Sequence, residues 1–306
     1  MVSRKSAVRG VRGDRIKTGH FDKILLAVNT VAITLIALIC LYPYLNIVAK
    51  SFSSSFSVIA GKVNGIWPVE YTAESYQIIF RGSRFFRSTW NTVFVTVIGT
   101  LLNLMFTLFV AYAVTRPVMP GKKLIMILYI ITMVFGGGLI PTYLTVINAG
   151  MRNSLWALII PSLVSPFNVI LMRNFLNGIP YEITESATID GTDHFRMLAH
   201  IIFPLSLPSI ATISIFLAVG YWNSFFDAMI YIDARTKQTL QLYLRDIMTN
   251  VMQAELSGFL DELAGSLADD SIRGAAIFCS TLPIICVYPF LQKYFVKGVT
   301  LGAVKG

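Results

Sequence analysis

The sequence predicts an all-α integral membrane protein with six transmembrane helices. Hydrophobic residues make up 55% of the chain and charged residues only 13%, whereas a soluble domain carries about a quarter charged residues. The apolar residues also occur in blocks, each long enough to supply the roughly 20 residues that a bilayer-spanning helix needs. A transmembrane β-barrel would instead show alternating segments of about ten residues, and the sequence has none.

Six apolar stretches qualify as membrane spans, and several contain Pro or Gly, which membrane helices tolerate when neighbouring helices satisfy the freed backbone groups. A basic segment, 1–23, precedes the first of them. The first stretch is longer than the apolar region of a secretory signal and no small-residue cleavage site follows it, so we expect a retained helix. The predicted spans are 24–48, 90–114, 124–147, 154–172, 202–232 and 275–296.

The charge distribution predicts that both termini lie in the cytoplasm. With that orientation the cytoplasmic segments, together with Lys293 at the inner end of the last span, hold 15 of the 25 basic and 6 of the 16 acidic residues, so the whole net charge of +9 lies inside. Such a bias sets membrane orientation. It explains the net positive charge without nucleic-acid binding. Arg81, Arg84 and Arg87 oppose it on the outer side, but the first span and its leader usually dominate. The cytoplasmic segments are 1–23, 115–123, 173–201 and 297–306.

Two longer segments are predicted outside the membrane. The first, 49–89, is an extracellular loop that precedes the transmembrane core, 90–296. The second, 233–274, lies within that core and connects the last two spans. Within the second, residues 240–267 have apolar side chains at helical spacing, which predicts one or two amphipathic helices at the outer surface. The spacing fits a docking surface and a solvated helical hairpin equally well.

No enzymatic or metal chemistry is visible, and we expect neither a cofactor nor a catalytic site. The phosphate-binding pattern Gly-x4-Gly-Lys-Ser/Thr does not occur. The cysteines all lie in apolar spans, where a small core residue is the ordinary interpretation, and the histidines form no ligand spacing. These residues are Cys40, Cys279, Cys286, His20, His194 and His200.

A cytoplasmic loop, 175–204, separates the fourth and fifth spans and predicts a helix–turn–helix elbow. Pro180 stands at the predicted first helical position and acids follow in the early turns. Gly191 then favours a left-handed helix stop. A second short helix is predicted over 194–200, and Pro204 marks entry into the next span.

The elbow reads Glu185-Ser186-Ala187-Thr188-Ile189-Asp190-Gly191, then nine residues, then Ile201-Ile202-Phe203-Pro204. This resembles the EAA loop of binding-protein-dependent ABC importer permeases, Glu-Ala-Ala-x3-Gly-x9-Ile-x-Leu-Pro, with Ser186 and Phe203 as modest departures. In that family the loop forms a coupling helix that docks into a cleft of the ATPase subunit, and small side chains suit such a groove. A capped cytoplasmic loop without a partner is the alternative. The implied coupling residues are Glu185, Ser186, Ala187, Asp190, Gly191, Ile201 and Pro204.

Further motifs resemble carbohydrate-uptake permeases related to the maltose-type system. They are Trp222-Asn223, the run 135–141 (Phe-Gly-Gly-Gly-Leu-Ile-Pro) and the tail 292–298 (Gln-Lys-Tyr-Phe-Val-Lys-Gly). The glycine run and the Gly-Ala-Val-Lys-Gly ending resemble the branch that imports complex, often acidic, polysaccharide fragments. The resemblance implies a type I ABC importer permease fold in a prokaryotic cell membrane. It also implies a second permease, two ATP-binding cassette subunits, an extracellular solute-binding protein and a sugar or oligosaccharide substrate.

Polar side chains deep in predicted spans are costly and therefore mark candidate pathway residues. At 1.5 Å per residue, Trp222 and Asn223 lie roughly 24 Å beyond the cytoplasmic entry of the fifth span, in the outer third of the membrane. Aromatic rings and amide or carboxylate groups suit sugars. The alternative makes Trp222 an interfacial belt residue and Asn223 an interhelical hydrogen-bonding group. The candidates are Tyr143, Asn168, Tyr221, Trp222, Asn223 and Asp227.

Two questions stay open at this point. The glycines at 136–138 with Pro141 break the third span, either as a hinge or as a close helix–helix contact. The second concerns the energy source, because an ion-gradient-driven secondary transporter is the alternative class. Such a transporter is expected to show internal repeats and acids at mid-membrane, yet Asp227 is the only acid within a span and lies near its outer end.

Overall fold

A computed structural model describes residues 20–81, 83–256 and 270–303 of the chain, and these residues are almost entirely helical. Three helices exceed thirty residues: α1 (His20–Ser51), α4 (Ser83–Thr115) and α14 (Asp270–Ala303). The one β-bridge of the described residues joins Ser53 and Tyr71 in the loop after α1. The shorter helices are α2 (Ser55–Ile59), α3 (Glu74–Arg81), α5 (Lys122–Val134), α6 (Leu139–Asn148), α7 (Pro166–Leu176), α8 (Tyr181–Ile189), α9 (His194–Met197), α10 (Phe203–Leu205), α11 (Leu207–Asn223), α12 (Phe226–Tyr231) and α13 (Leu240–Leu256).

The all-α class predicted from the sequence is confirmed, but several predicted spans are not continuous helices. Within the described part of the chain, two helices, α1 and α4, are long and apolar enough to cross a membrane, and the number rises to five if each of three bent pairs counts as one span. The bends are 113° between α5 and α6, 50° between the 3₁₀ turns of 155–162 and α7, and 80° between 194–205 and α11. Six spans therefore remain a prediction.

Glycine and proline explain where the broken spans bend. Gly138 has φ +86° and α6 begins at the next residue, a conformation that glycine adopts without a steric penalty. Pro166 opens α7, where its missing N–H is no loss. At the break before α6, a Cβ added at Gly136 or Gly137 would have no neighbouring atom within 4 Å. These two glycines therefore make no close helix contact within the described chain.

The helices pack around α4, which lies against α7 and α11, while α14 lies against α1 and α11. Two glycines permit the closest approaches. A Cβ at Gly99 of α4 would lie 2.8 Å from Cζ of Tyr221, and one at Gly274 of α14 would lie 2.7 Å from the carbonyl oxygen of Ile47. Small residues at helix crossings are typical of membrane proteins, because close backbone contact replaces the hydrophobic effect there.

The predicted extracellular loop after α1 folds back on the outer end of that helix. The Tyr42 hydroxyl donates to the Asn64 carbonyl at 2.8 Å, and Glu70 accepts hydrogen bonds from the hydroxyls of Ser54 and Ser57. These two bonds stabilise the carboxylate and lower the pKa of Glu70. Farther along, the predicted amphipathic segment 240–267 contains α13, while 257–269 lies outside the described residues.

Candidate functional site

The predicted cytoplasmic elbow is built from α8, a tight turn and α9. Pro180 occupies the N-cap of α8 and not its first helical position. The helix therefore begins one residue later than the sequence predicted. The helix stop at Gly191 is confirmed: its φ is +73°, and its N–H donates to the Thr188 carbonyl at 3.0 Å. The N–H of Thr192 donates to the Ala187 carbonyl, also at 3.0 Å. This pair of bonds is a Schellman motif, which satisfies the last carbonyls of the helix.

Asp193 starts the second arm of the elbow. Its Oδ1 accepts hydrogen bonds from the backbone N–H of Phe195 at 2.6 Å and of Arg196 at 2.9 Å, and these bonds lower the pKa of the carboxyl group. The arm runs through α9, a π-helical turn and α10 to 205, beyond the predicted end at 200. Pro204 therefore lies inside the arm, and the 80° bend into α11 follows it.

The motif residues divide between a buried and an exposed face. Ala187 is only 6% exposed and packs in a cluster with Tyr112, Met172 and Leu198 of this chain. Its small size therefore fits the elbow onto its own membrane helices, which differs from the groove contact inferred from the sequence. Ile201 is half-buried, and the other motif residues are exposed: Glu185, Ser186, Asp190, Gly191 and Pro204.

Large apolar side chains also stand on the exposed face of the elbow, and the sequence reading missed them. Ile189 is 81% exposed, Phe195 72% and Tyr181 60%. Exposed apolar side chains of this size are candidates for contact with a partner. The signal was present in the sequence, because Ile189 does not share the helical spacing of Thr184 and Ala187, the two buried residues of α8.

Side-chain contacts join the elbow to the C-terminal end of α4 and to Arg116, which follows it. The Tyr112 hydroxyl lies 3.3 Å from Nδ1 of His194, and the Arg116 guanidinium carbon lies 4.2 Å from the centre of the Tyr112 ring. Arg116 also reaches the sulfur of Met197 at 3.8 Å. These contacts directly link α9 to α4 and to the residue that follows it.

Three of the predicted pathway residues lie in the protein interior, two of them at the end of α11 opposite the elbow. The Tyr221 ring packs on Gly99, and its hydroxyl lies 3.1 Å from Oγ of Ser162. Trp222 is 9% exposed and packs with other helices of this chain in a cluster that includes α13 and α14. Asn168 is buried on α7. These three side chains support the helix packing around α11.

The remaining three candidates are accessible to different degrees. Asn223 is exposed and Asp227 half-buried. Asn223 Nδ2 donates to the Val219 carbonyl at 3.0 Å, and Asp227 Oδ2 accepts from the Ser224 hydroxyl at 3.4 Å. Tyr143 stacks on Tyr231 with ring centroids 6.0 Å apart. Asn223 and Asp227 are therefore the candidates best placed to meet a solute.

Two further polar residues lie at this end, and the sequence reading did not single them out. Nε2 of Gln241 donates to Oδ1 of Asn223 at 3.4 Å, so Asn223 does bridge two helices, as its alternative interpretation proposed. Arg245 lies one turn later on α13, where its guanidinium contacts Met229 and lies 5.7 Å from the Phe225 ring centre. Their i, i+4 spacing is the signal that places them on one helix face.

The residues that the structure describes include no group of three or more His, Cys, Asp or Glu side chains that could hold a metal ion.

Comparison with known proteins identifies close relatives. The sequence model of one family, described as the binding-protein-dependent transport system inner membrane component, matches residues 78–301. The chain is 39% identical over 272 residues to the polygalacturonan/rhamnogalacturonan transport system permease protein YtcP of Bacillus subtilis, over 88% of this chain and 94% of that protein. It is 27% identical over 288 residues to the arabinooligosaccharides transport system permease protein AraQ of Halalkalibacterium halodurans, over 92% and 98% of the two chains.

Solved structures contain the same fold. A chain from a bacterial ABC transporter involved in the import of the acidic polysaccharide alginate superposes with a TM-score of 0.82 at 33% identity, over 90% of this chain and 98% of that chain. A chain from the bacterial alginate ABC transporter in complex with an alginate pentasaccharide-bound periplasmic protein gives a TM-score of 0.54 at 15% identity, over 89% and 93%. The second likeness concerns the fold alone.

Proposed function

The chain belongs to the family of inner membrane components of binding-protein-dependent transport systems. From that premise we propose how the elbow and the opposite end of α11 work. The chain is a permease subunit of an ATP-driven importer for sugars or oligosaccharides. The cytoplasmic elbow receives the movement of an ATPase subunit, and the outer end of α11 lines the path of the sugar. The observation that carries the proposal is the division of the elbow into two faces. Most motif residues are exposed, while Ala187 packs against the other helices of this chain.

The two faces of the elbow suit a mechanical coupling. Ile189 and Phe195 offer apolar contact area to a partner, and Glu185 adds a carboxylate for basic or amide groups. Ala187, Met197 and Ile202 are fixed in a core shared with α4, α7 and α11. Because the buried face of the elbow is closely packed, a force on its exposed face moves those helices instead of deforming the loop.

The α11 helix supplies the link between the two ends. It starts directly after the elbow and ends at Asn223, about 24 Å farther on at 1.5 Å per residue. Tyr221 and Trp222 hold its outer end against α4 and α14, so a rotation of the elbow moves Asn223 and Asp227. The break between α5 and α6 gives a second place at which the pathway bends as it alternates between inward and outward access.

We propose acidic oligosaccharides as the substrates. One relative is named for polygalacturonan and rhamnogalacturonan transport, and the transporter of the similar solved structure is involved in the import of the acidic polysaccharide alginate. The assembly is a second permease, two ATP-binding cassette subunits and an extracellular binding protein. A second permease is needed because this chain offers one elbow, whereas a symmetric ATPase dimer has two clefts. The chain crosses a bacterial cell membrane six times, with both termini in the cytoplasm.

Uptake by the complete importer in proteoliposomes tests this function. Trigalacturonate is supplied with the binding protein on the outside, and ATP is enclosed inside. We expect uptake that requires both and that persists when ionophores collapse the ion gradients. Uptake driven by an ion gradient without ATP would instead establish the secondary transporter.

A further inference from the structure

Arg245 is a guanidinium with no assigned role, on the face of α13 that covers the junction of α11 and α12. It contacts the sulfur of Met229 and lies 5.7 Å from the Phe225 ring centre. Gln241, one turn earlier on the same face, donates to Asn223 at 3.4 Å. Gln241 therefore lies beside Asn223, the most exposed of the pathway candidates, and Arg245 lies beside Phe225, two residues farther along the chain.

Among the residues that the structure describes, no carboxylate pairs with Arg245. Three other basic residues on the predicted outer side have carboxylate partners: Lys50 pairs with Asp270 at 3.2 Å, Arg84 with Asp246 at 3.6 Å and Arg152 with Asp233 at 2.9 Å. Within 20–81, 83–256 and 270–303 no carboxylate forms an ion pair with Arg245, and Asp227 accepts instead from Ser224. An uncompensated guanidinium is too costly to face lipid, so this face meets water or an anion.

We propose that Arg245, together with Gln241 and Asn223, binds the carboxylate of an acidic sugar as the oligosaccharide enters the pathway. A guanidinium presents a planar fork of donors that matches a carboxylate in a bidentate fashion. The amides of Gln241 and Asn223 supply donors and acceptors for neighbouring hydroxyls. Phe225 and Phe226 are both more than a third exposed and offer aromatic faces for the sugar ring. A neutral sugar lacks the anion that the guanidinium requires.

This inference rests on the proposed function, because it assigns the substrate preference of that importer to a residue. The test uses the reconstituted importer with the binding protein at saturating concentration. Initial uptake is measured for trigalacturonate and for its neutral methyl ester. The variants are Arg245→Gln, Arg245→Glu and Arg245→Lys. Arg152→Gln is the matched control, since it removes the same charge from an exposed ion pair on the outer side.

We expect Arg245→Gln to reduce trigalacturonate uptake roughly tenfold, the factor that corresponds to one charge-assisted hydrogen bond. Uptake of the ester is expected to stay within twofold. Arg245→Glu should reduce acid uptake further, Arg245→Lys should restore part of it, and Arg152→Gln should leave both rates within twofold.

Two results would overturn the inference while the importer function stands. One is trigalacturonate uptake within twofold of wild type in both Arg245→Gln and Arg245→Glu. The other is an equal loss of acid and ester uptake in complexes that retain all their subunits, which would make Arg245 a packing residue. If the wild-type importer takes up neither compound, the proposed function itself fails and this inference falls with it.

Discussion

At the scale of single residues, the elbow depends on a few positions whose conformation or hydrogen bonding admits little substitution. Gly191 has a left-handed φ of +73° with no atom within 4 Å of an added Cβ. A substitution there is therefore opposed by backbone conformation and not by crowding. Asp193 holds the first N–H groups of α9. The sequence predicted the helix stop at Gly191, because glycine adopts the left-handed conformation readily, but it did not single out Asp193 as a cap.

Gly191→Val should uncouple transport, because a β-branched residue in the left-handed region costs on the order of 1–3 kcal/mol, enough to release a docked short helix. Gly191→Asn is the matched control, since Asn tolerates this conformation. The measurements are ATPase co-purification, stimulated hydrolysis and uptake. Gly191→Asp adds a carboxylate beside Asp190 and should also lose coupling. Wild-type values for Gly191→Val in all three measurements would reduce Gly191 to a spacer.

Asp193→Ala should loosen the start of α9, because it removes the acceptor for two backbone N–H groups. Asp193→Asn keeps an acceptor and should lose less. Hydrogen exchange of the amides at 195 and 196 checks this, with several-fold faster exchange expected in the Ala variant. The lowered pKa of Asp193 makes the cap effective above the unfolded value near 4, and the cap weakens as the pH falls through the folded value. Equal exchange in all three proteins would show that the cap is dispensable.

At the scale of elements, the sequence was sufficient for the helical class and the elbow, and insufficient for continuity and burial. Hydropathy identifies apolar blocks, but it does not distinguish a straight span from one bent by 113° at a glycine. The polarity of Asn168, Tyr221 and Trp222 suggested a pathway, whereas they lie inside the helix packing. Which face of a helix is buried depends on its neighbours, and no local pattern in α11 or α13 reports that Gln241 reaches Asn223.

Gly99→Ala should destabilise the α4–α11 contact, because the new Cβ would lie 2.8 Å from Tyr221 Cζ. Overpacking of this kind costs typically about 1–3 kcal/mol. Gly220→Ala on α11 is the control, since no neighbouring atom lies within 4 Å. Thermal unfolding in detergent should show a lower midpoint for Gly99→Ala alone. Restoration of that midpoint by Tyr221→Leu in the Gly99→Ala background would identify the ring as the obstacle, and equal midpoints for the two glycine variants would contradict the contact.

At the scale of the whole molecule, the two candidate regions lie at the two ends of α11. The elbow meets α4, α7 and α11 in one core, and the outer end of α11 meets α13 and α14 in another. Large parts of α1, α5 and α6 expose apolar side chains, as expected of helices that face lipid or a second permease. In the proposed function, α11 therefore provides a short helical route between the elbow and the pathway candidates.

The topology can be checked with single cysteines in a background lacking Cys40, Cys279 and Cys286. Val118→Cys should react with an impermeant thiol reagent only after permeabilisation, because the short loop that holds it is predicted in the cytoplasm. Arg235→Cys should react in intact cells. Both positions are exposed, so access and not burial decides the outcome. The reverse labelling pattern would overturn the orientation derived from the charges.

The central claim is that the exposed face of the elbow docks on the ATPase, and one measurement tests it most directly: ATPase co-purification with Ile189→Asp. Ile189 is 81% exposed on the elbow, and Ile59, the control, is 65% exposed in the loop after α1, which is predicted on the other side of the membrane. Loss of a hot-spot anchor at an interface costs about 2 kcal/mol or more, so Ile189→Asp should release the ATPase and abolish uptake. Ile59→Asp should retain the ATPase. Full ATPase association and uptake in the Ile189→Asp complex would contradict the account.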